Sequence, residues 1–257
     1  MEELIFDKNI AFGLTPFETL YFFDYKVEYI REHYYRMKRA CRVFKIEFGY
    51  DLNAFENIIS RFIFDNNNSD SNGNGVLKIV VVDNGLHMKV REYGYDAKKY
   101  KEGYRLMVSK SIRDKNNIFA YFKTFNYGIN YVEDTRAKNK GFDSSLHFNQ
   151  DGYICEAAYS NIFFVKDKTL YTPSIKNGIL NGVIRSKVMK QSSAIGYKVE
   201  KADIKLDRVH EFEECFLTNS VAGVFSVSSI DKFQFTSREF VNQTNNLEEF
   251  RRPWNNA

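Results

Sequence analysis

The residues in this 257-residue chain best suited to chemistry lie between Lys123 and Arg185. Lys123 is followed by Thr124, Phe125, Asn126 and Tyr127, a stretch with few charges. An amine in partly apolar surroundings loses its proton more readily and can condense with a carbonyl as a Schiff base. Glu156 follows an alternating run and precedes Ala157-Ala158 and Ser160-Asn161. A carboxylate there could keep a pyridine nitrogen protonated, so that the ring accepts electrons. Gly182-Val183-Ile184 opens a helix, and the N–H groups and positive dipole end of a helix start suit a phosphate. Thr218-Asn219-Ser220, closing a strand, could add a hydroxyl to the same anion. An amine, an acid and an anion site are the three parts that hold a pyridine-phosphate cofactor. Taken singly, each has an ordinary reading: a loop lysine, a surface-strand glutamate, a plain helix start, a polar turn. Asn161 reads as structural, bonding backbone in a turn.

The elements that must position these groups follow from the pattern of apolar residues. Thr19–Phe23 is β-prone, with Pro16 ahead of it at an edge or loop. Arg31–Phe44 reads as a helix, because Tyr34, Met37, Cys41 and Phe44 form one stripe. Arg36 and Arg39 lie off that stripe, on what reads as a solvated face. A second helix is expected over Leu52–Phe64, then a polar, Asn-rich loop from Asp65 to Gly75. Val76–Val82 is a buried strand, Asn84-Gly85 a turn, and Leu86–Tyr93 the partner strand. Tyr104–Ser109 is another strand. The polar run Ser109–Asn117 reads as a linker, which sets two domains, 1–115 and 116–257. Beyond it come a helix over Tyr127–Lys140 stopped by Gly141, strands at Ser144–Phe148, Tyr153–Cys155, Asn161–Lys166 and Thr169–Tyr171, and a helix over Val183–Ala194. Strands at Glu214–Thr218 and Val221–Ser228 and a helix over Ser237–Phe250 close the chain. Strands and helices mixed without strict alternation imply an α+β fold with two lobes.

Composition excludes several classes. A formal net charge of +4 is too balanced to demand nucleic acid but permits an anionic ligand. The aromatic share of 16% suits cores and pocket walls alike. Cys41, Cys155 and Cys215 are far apart with no C-x-x-C, as expected of reduced thiols in a cytoplasmic protein. No run of 18 apolar residues implies a membrane span, and the acidic N-terminus argues against a signal peptide. The four histidines lack metal-binding spacing, so no metal is expected. Neither G-x-G-x-x-G nor a P-loop is present, which argues against a dinucleotide or nucleoside-triphosphate fold. A non-catalytic module that binds nucleic acid through aromatic and basic residues is the remaining alternative, and no basic stripe supports it.

Read together, FGLTPFET, EHYYRM, GVLKIVV, KTFNY and GYICEAAYSNIFFV through LYTPSIKNGILNGVIR resemble the class IV aminotransferase family, the fold-type IV pyridoxal-phosphate enzymes. The specific block is E-x-x-x-S-N-x-F followed by T-P and L-x-G-x-x-R. The resemblance implies a smaller N-terminal α/β lobe, a larger barrel-like C-terminal lobe, pyridoxal 5′-phosphate as cofactor, a small-molecule amine as substrate, and the dimers usual in the family. It implies roles too. Lys123 is the Schiff-base lysine and proton carrier, and Glu156 the partner of the pyridine nitrogen. Arg36, in H-x-x-R, binds the phosphate, overturning its reading as a solvated residue. Val183 and Ile184 donate backbone N–H groups to that phosphate, assisted by Ser220. Tyr127 sits near the phenolic oxygen. Arg91 holds a substrate carboxylate, with a surface-strand arginine as the other reading, since the family's glycine- and arginine-rich loop is replaced here by Asp83–Arg91. The short N-terminus and Phe17-Glu18-Thr19 look most like 4-amino-4-deoxychorismate lyases, which release pyruvate and form 4-aminobenzoate for folate synthesis. The alternative is an aminotransferase acting on branched-chain or D-amino acids.

Overall fold

The computed structural model describes residues 7–66, 73–83, 85–92, 94, 97–250 and 252. Most of the Asn-rich loop, Asn84 of the expected turn, and Tyr93 lie outside the described residues. The chain folds as two compact units: Met1–Gly94 with Phe122–Tyr127, and Tyr95–Tyr121 with Gly128–Ala257. The Lys123 segment thus returns to the first unit after the chain has entered the second.

In the first unit, a short helix α1 (Lys8–Ala11) leads into β1 (Phe17–Phe23) and β2 (Lys26–Val27). Helices α2 (Ile30–Phe44) and α3 (Leu52–Asn66) follow, then β3 (Gly75–Val82) and β4 (Gly85–Arg91). The strands form an antiparallel sheet in the order β2-β1-β3-β4. Alternation fixes its two faces. Leu20, Phe22, Leu77, Ile79 and Val81 pack with Tyr34, Met37 and Cys41 of α2 and Phe55, Ile59 and Ile63 of α3. The α3 residues recur every four positions and are completely buried, one apolar stripe laid on the sheet. The opposite face carries Phe17, Lys78 and Arg91. Glu18 is the exception: a carboxylate on the core-facing side of β1, 1% exposed.

The second unit is a nine-stranded sheet. Helix α4 (Ala97–Glu102) precedes its first strand, β5 (Tyr104–Arg113); α5 (Gly128–Asn139) leads to β6 (Ser144–Asn149), β7 (Ile154–Ala157), β8 (Asn161–Lys166) and β9 (Thr169–Pro173). Then follow α6 (Val183–Gln191), β10 (Lys198–Ala202), β11 (Glu214–Asn219), β12 (Gly223–Ile230), β13 (Phe233–Gln234) and α7 (Glu239–Asn245). The order is β10-β9-β8-β11-β12-β5-β6-β7, with β13 on β12. Its outermost strands are stitched together: just after β10, Lys205 bridges Tyr153, and the Ile154 N–H donates to Ile204 O at 2.8 Å. That closure leaves few open edges and encloses a core of Leu106, Leu146, Ile162, Phe164, Leu217 and Phe225. This is the barrel-like lobe the resemblance implies.

The expected linker is the main departure. Ser109–Arg113 is the end of β5, paired with β6. Two serine hydroxyls and a backbone N–H of this segment are turned to a buried acceptor. Ser109 Oγ and the Lys110 N–H donate to Glu133 Oε2, each at 3.1 Å, and Ser111 Oγ donates to Glu133 Oε1 at 2.9 Å. The expected helix over Val183–Ala194 ends at Gln191, tightens into a 3-10 turn over Ser192–Ile195, and stops at Gly196 with φ 82°. Four of these elements were not expected from the sequence: α1, α4, β10 and β13.

Candidate active site

The candidate residues divide between the units. Arg36, Arg91, Lys123 and Tyr127 belong to the first, and Glu156, Val183, Ile184 and Ser220 to the second.

In the first unit, residues 123–125 run extended beside residues 15–17. The Phe17 N–H donates to Lys123 O, and the Phe125 N–H donates to Thr15 O, both at 3.0 Å. Pro16 bridges Thr124, so the residue that cannot donate sits where no donor is needed. This pairing carries Lys123 to the end of β1. There its Nζ lies 4.4 Å from the centre of the Phe17 ring and 5.0 Å from that of Tyr127. Phe17 also touches Phe125 and Tyr127 edge-on or tilted, with centroids 5.7 and 5.6 Å away. The amine therefore stands against two aromatic rings, Phe17 and Tyr127, the partly apolar environment that KTFNY suggests.

A second lysine joins this cluster, and the sequence reading missed it. Lys78 Nζ lies 5.0 Å from the Phe17 ring and 5.3 Å from the Phe125 ring. Desolvation pushes its pKa down, and Arg91 pushes the same way. Arg91 itself is exposed at the end of β4, donating to Glu92 O. Strand alternation could have found Lys78, since it interrupts the apolar run VLKIVVV.

Arg36 and His33 sit one helical turn apart on α2, both turned toward Glu18. Arg36 Nε donates to Glu18 Oε1 at 2.7 Å and Nη2 to Oε2 at 2.5 Å, while His33 Nδ1 meets Oε2 at 2.7 Å. Arg36 is therefore not on a solvated face, as its resemblance-based role requires. Burial raises the Glu18 pKa, but Arg36 and His33 outweigh it and hold the carboxyl at about 2.

In the second unit, Glu156 lies on fully buried β7. Arg113 Nη1, from the end of β5, forms an ion pair with Glu156 Oε1. Asn161 Nδ2 donates to Glu156 Oε2 at 2.7 Å and to Leu180 O at 2.8 Å, and the Leu180 N–H donates to the same Oε2 at 3.2 Å. Asn161 thus bonds turn backbone, as expected, and also the glutamate. Sequence reading missed Arg113 because it lies in the run taken for a linker. Glu156, itself in the specific block, becomes a buried, oriented carboxylate.

The T-P and L-x-G-x-x-R parts of the motif act on backbone. Arg185 is completely buried. Its Nη2 donates to Pro173 O at 2.9 Å, its Nη1 to Asn181 Oδ1 at 3.2 Å, and its Nε to Thr172 Oγ1 at 3.3 Å. Burial lowers its pKa to about 10, which leaves it charged at neutral pH. This clamp fixes the chain leading into α6. Gly182 caps that helix with no side-chain hydrogen bond, and no acidic residue occupies the first turn. The N–H groups of Val183 and Ile184, which have no acceptor inside a helix, thus meet no acidic residue in the helix's own first turn. On β11, Thr218 Oγ1 is buried without a hydrogen-bond partner. Next to it, Asn219 Oδ1 accepts from the N–H groups of Val221 and Ala222, setting the turn that carries Ser220.

Against known proteins, the family model described as Amino-transferase class IV matches residues 15–230. The chain belongs to the class IV aminotransferase family. Its enzymes are pyridoxal-phosphate-dependent aminotransferases and lyases. A "Probable branched-chain-amino-acid aminotransferase" of Rickettsia felis is 28% identical over 233 residues, 87% of this chain and 80% of that one. The solved 4-amino-4-deoxychorismate lyase of Pseudomonas aeruginosa superposes with a TM-score of 0.83 at 21% identity, covering 97% of each chain. A hypothetical aminotransferase of Mycobacterium tuberculosis, solved in its alpha-ketoglutarate and PMP bound form, gives 0.80 at 18% identity, over 95% of this chain and 90% of that one. These two structures share the fold: mixed α and β with curled sheets.

The donor set of this class IV chain fits the family's cofactor. Within the second unit, an uncapped helix start and a buried hydroxyl without a partner suit a phosphate; within the first, the oriented Arg36 is a donor of the same kind. An oriented carboxylate suits a protonated ring nitrogen, and an amine among aromatic rings suits an aldehyde. Among the described residues, no cluster of His, Cys, Asp and Glu could hold a metal ion, and no helix is long and apolar enough to cross a membrane.

Proposed function

We propose that this chain is a 4-amino-4-deoxychorismate lyase, releasing pyruvate and leaving 4-aminobenzoate. The bound cofactor supplies an electron sink for the carbon that bears the substrate amine. Lys123 would hold the cofactor's aldehyde carbon and would be the base that takes the proton from the substrate's amine-bearing carbon. Glu156, oriented by Arg113, Asn161 and the Leu180 N–H, would keep the ring nitrogen protonated. Val183, Ile184, Ser220 and Arg36 would hold the phosphate, and Tyr127 would stand by the phenolic oxygen.

The observation that carries the lyase reading is the pair of cations on the sheet face opposite the one that packs on α2 and α3. The substrate has two carboxylates, one on its ring and one on the enolpyruvyl group. Lys78 and Arg91 share that face, and the charge of Arg91 helps push the Lys78 pKa down. Lys78 also shares the Phe17 ring with Lys123, so an anion held there would lie near the amine. A second reading, an aminotransferase acting on branched-chain or D-amino acids, is favoured by the 28% identity to the Rickettsia felis relative.

One assay separates them. The purified protein, loaded with cofactor, is incubated with aminodeoxychorismate and no keto acid, and separately with leucine or D-alanine plus 2-oxoglutarate. Pyruvate and 4-aminobenzoate in the first mixture are expected. Glutamate in the second with no pyruvate in the first would replace the lyase with the transaminase.

A further inference from the structure

A carboxylate on the core side of a sheet needs an explanation. Every other core-facing residue of β1 is apolar: Leu20 and Phe22 are completely buried and pack against α2 and α3. Glu18 interrupts that series, and an unpaired buried carboxylate is strongly unfavourable. What Glu18 does with its charge is specific. Both its oxygens are taken by the two polar residues that α2 presents one turn apart.

The geometry on Arg36 is a two-point fork, Nε and Nη2 against the two carboxylate oxygens. A fork fixes the plane of a guanidinium, which a single contact does not. It also decides which edge faces elsewhere. With Nε and Nη2 turned to Glu18, Nη1 is directed away from the carboxylate. Arg36 keeps 16% of its side-chain surface exposed, against 1% for Glu18, so the buried end of the pair is the acid and the accessible end is the arginine. His33, completely buried, braces the same oxygen. Burial pushes its pKa down and, with smaller help from Arg36 and Lys123, outweighs the upward pull of Glu18. It is therefore neutral, and donates through Nδ1–H to Glu18 Oε2.

We infer that Glu18 is a positioning residue. Braced by His33, it aims the Arg36 guanidinium at the cofactor's phosphate and never touches the cofactor itself. This rests on the reading of Arg36 as a phosphate ligand. Because Glu18 cancels the charge of Arg36, the contribution to phosphate binding comes from aimed N–H groups rather than net charge. Replacing the fork by a point charge should then lose it.

The test compares binding of pyridoxal 5′-phosphate and of pyridoxal, which lacks the phosphate, to the cofactor-depleted full-length protein, each titrated by absorbance. Arg36→Gln should weaken pyridoxal phosphate about 10- to 100-fold, the range of a charge-assisted hydrogen bond, and leave pyridoxal unchanged. Glu18→Gln should do the same to a lesser extent, and the double variant should be no weaker than Arg36→Gln alone. If Arg36→Gln spares the phosphate preference, the reading of Arg36 fails and the inference falls with it. If Arg36→Gln removes the preference but Glu18→Gln keeps it, or the two effects add, only the positioning role is overturned. Should Glu18→Gln fail to fold, as circular dichroism would reveal, Arg36→Lys decides: it keeps the charge and loses the fork. Loss of the phosphate preference supports the inference, and full retention overturns it.

Discussion

Glu156 is held by three donors from three different parts of the second unit, and that hold sets its expected behaviour. Arg113 takes one oxygen, and Asn161 with the Leu180 N–H takes the other. Orientation of this kind fixes where an acceptor points before any ligand arrives. Glu156→Gln keeps the shape and removes the charge. It should weaken cofactor binding by about 10- to 100-fold, the loss of one charge-assisted hydrogen bond, as measured by spectrophotometric titration. Unchanged affinity would place the ring nitrogen elsewhere. At this scale the sequence was informative where a motif spans few residues, as in E-x-x-x-S-N, where Glu156 and Asn161 bond each other directly. It was silent where partners are distant. Arg113 and Glu156 are brought together only by the pairing of β5 with β6 and of β6 with β7, which no local pattern reports.

Helix α6 shows how one element depends on a clamp. Its start is aimed by Arg185, which bonds Thr172, Pro173 and Asn181 from a fully buried position. Arg185→Leu would leave the Pro173 carbonyl without this donor, at a cost of about 1–3 kcal/mol. The melting temperature should fall by about 2–12 °C for a protein of this size. Cofactor affinity should fall too, because the Val183 and Ile184 N–H groups would lose their aim. A variant with wild-type melting and affinity would show the clamp to be dispensable. Helices α2 and α3 were legible because their apolar residues recur with helical spacing and meet one sheet face. Strand β10 was not. Its Lys-Val-Glu-Lys-Ala sequence is largely exposed and has no apolar alternation to read, and only its parallel pairing with β9 makes it a strand. The end of β5 was misread for the opposite reason: Ser109, Lys110 and Ser111 look solvated but bond the nearly buried Glu133.

For the whole molecule, buried histidines tie stability to pH. His147 is buried beside Ser145, and its pKa is lowered from 6.5 to about 3, chiefly by burial. His33 is shifted the same way. A histidine with a depressed folded pKa binds its proton in the unfolded chain first, so its contribution is present above pH 6.5 and is lost as pH falls below it. For His147 the loss should be about 1.4 kcal/mol per pH unit in that range. Glu214, whose pKa burial raises, opposes this trend. The comparison of the wild-type protein with His147→Asn isolates one histidine: the variant's denaturation midpoints should fall less steeply between pH 6.5 and 4. Parallel pH profiles would contradict the assignment of a buried, neutral His147. The two-unit division was legible only in outline, because the Lys123 segment rejoins the first unit through backbone pairing with residues 15–17. That return places Lys123 against the Phe17 and Tyr127 rings, and the Schiff-base role proposed for its amine is the most direct test. The protein is loaded with pyridoxal 5′-phosphate, reduced with borohydride, digested and mapped by mass spectrometry. The phosphopyridoxyl label is expected on Lys123, while a label on Lys78, or none at all, would contradict the account.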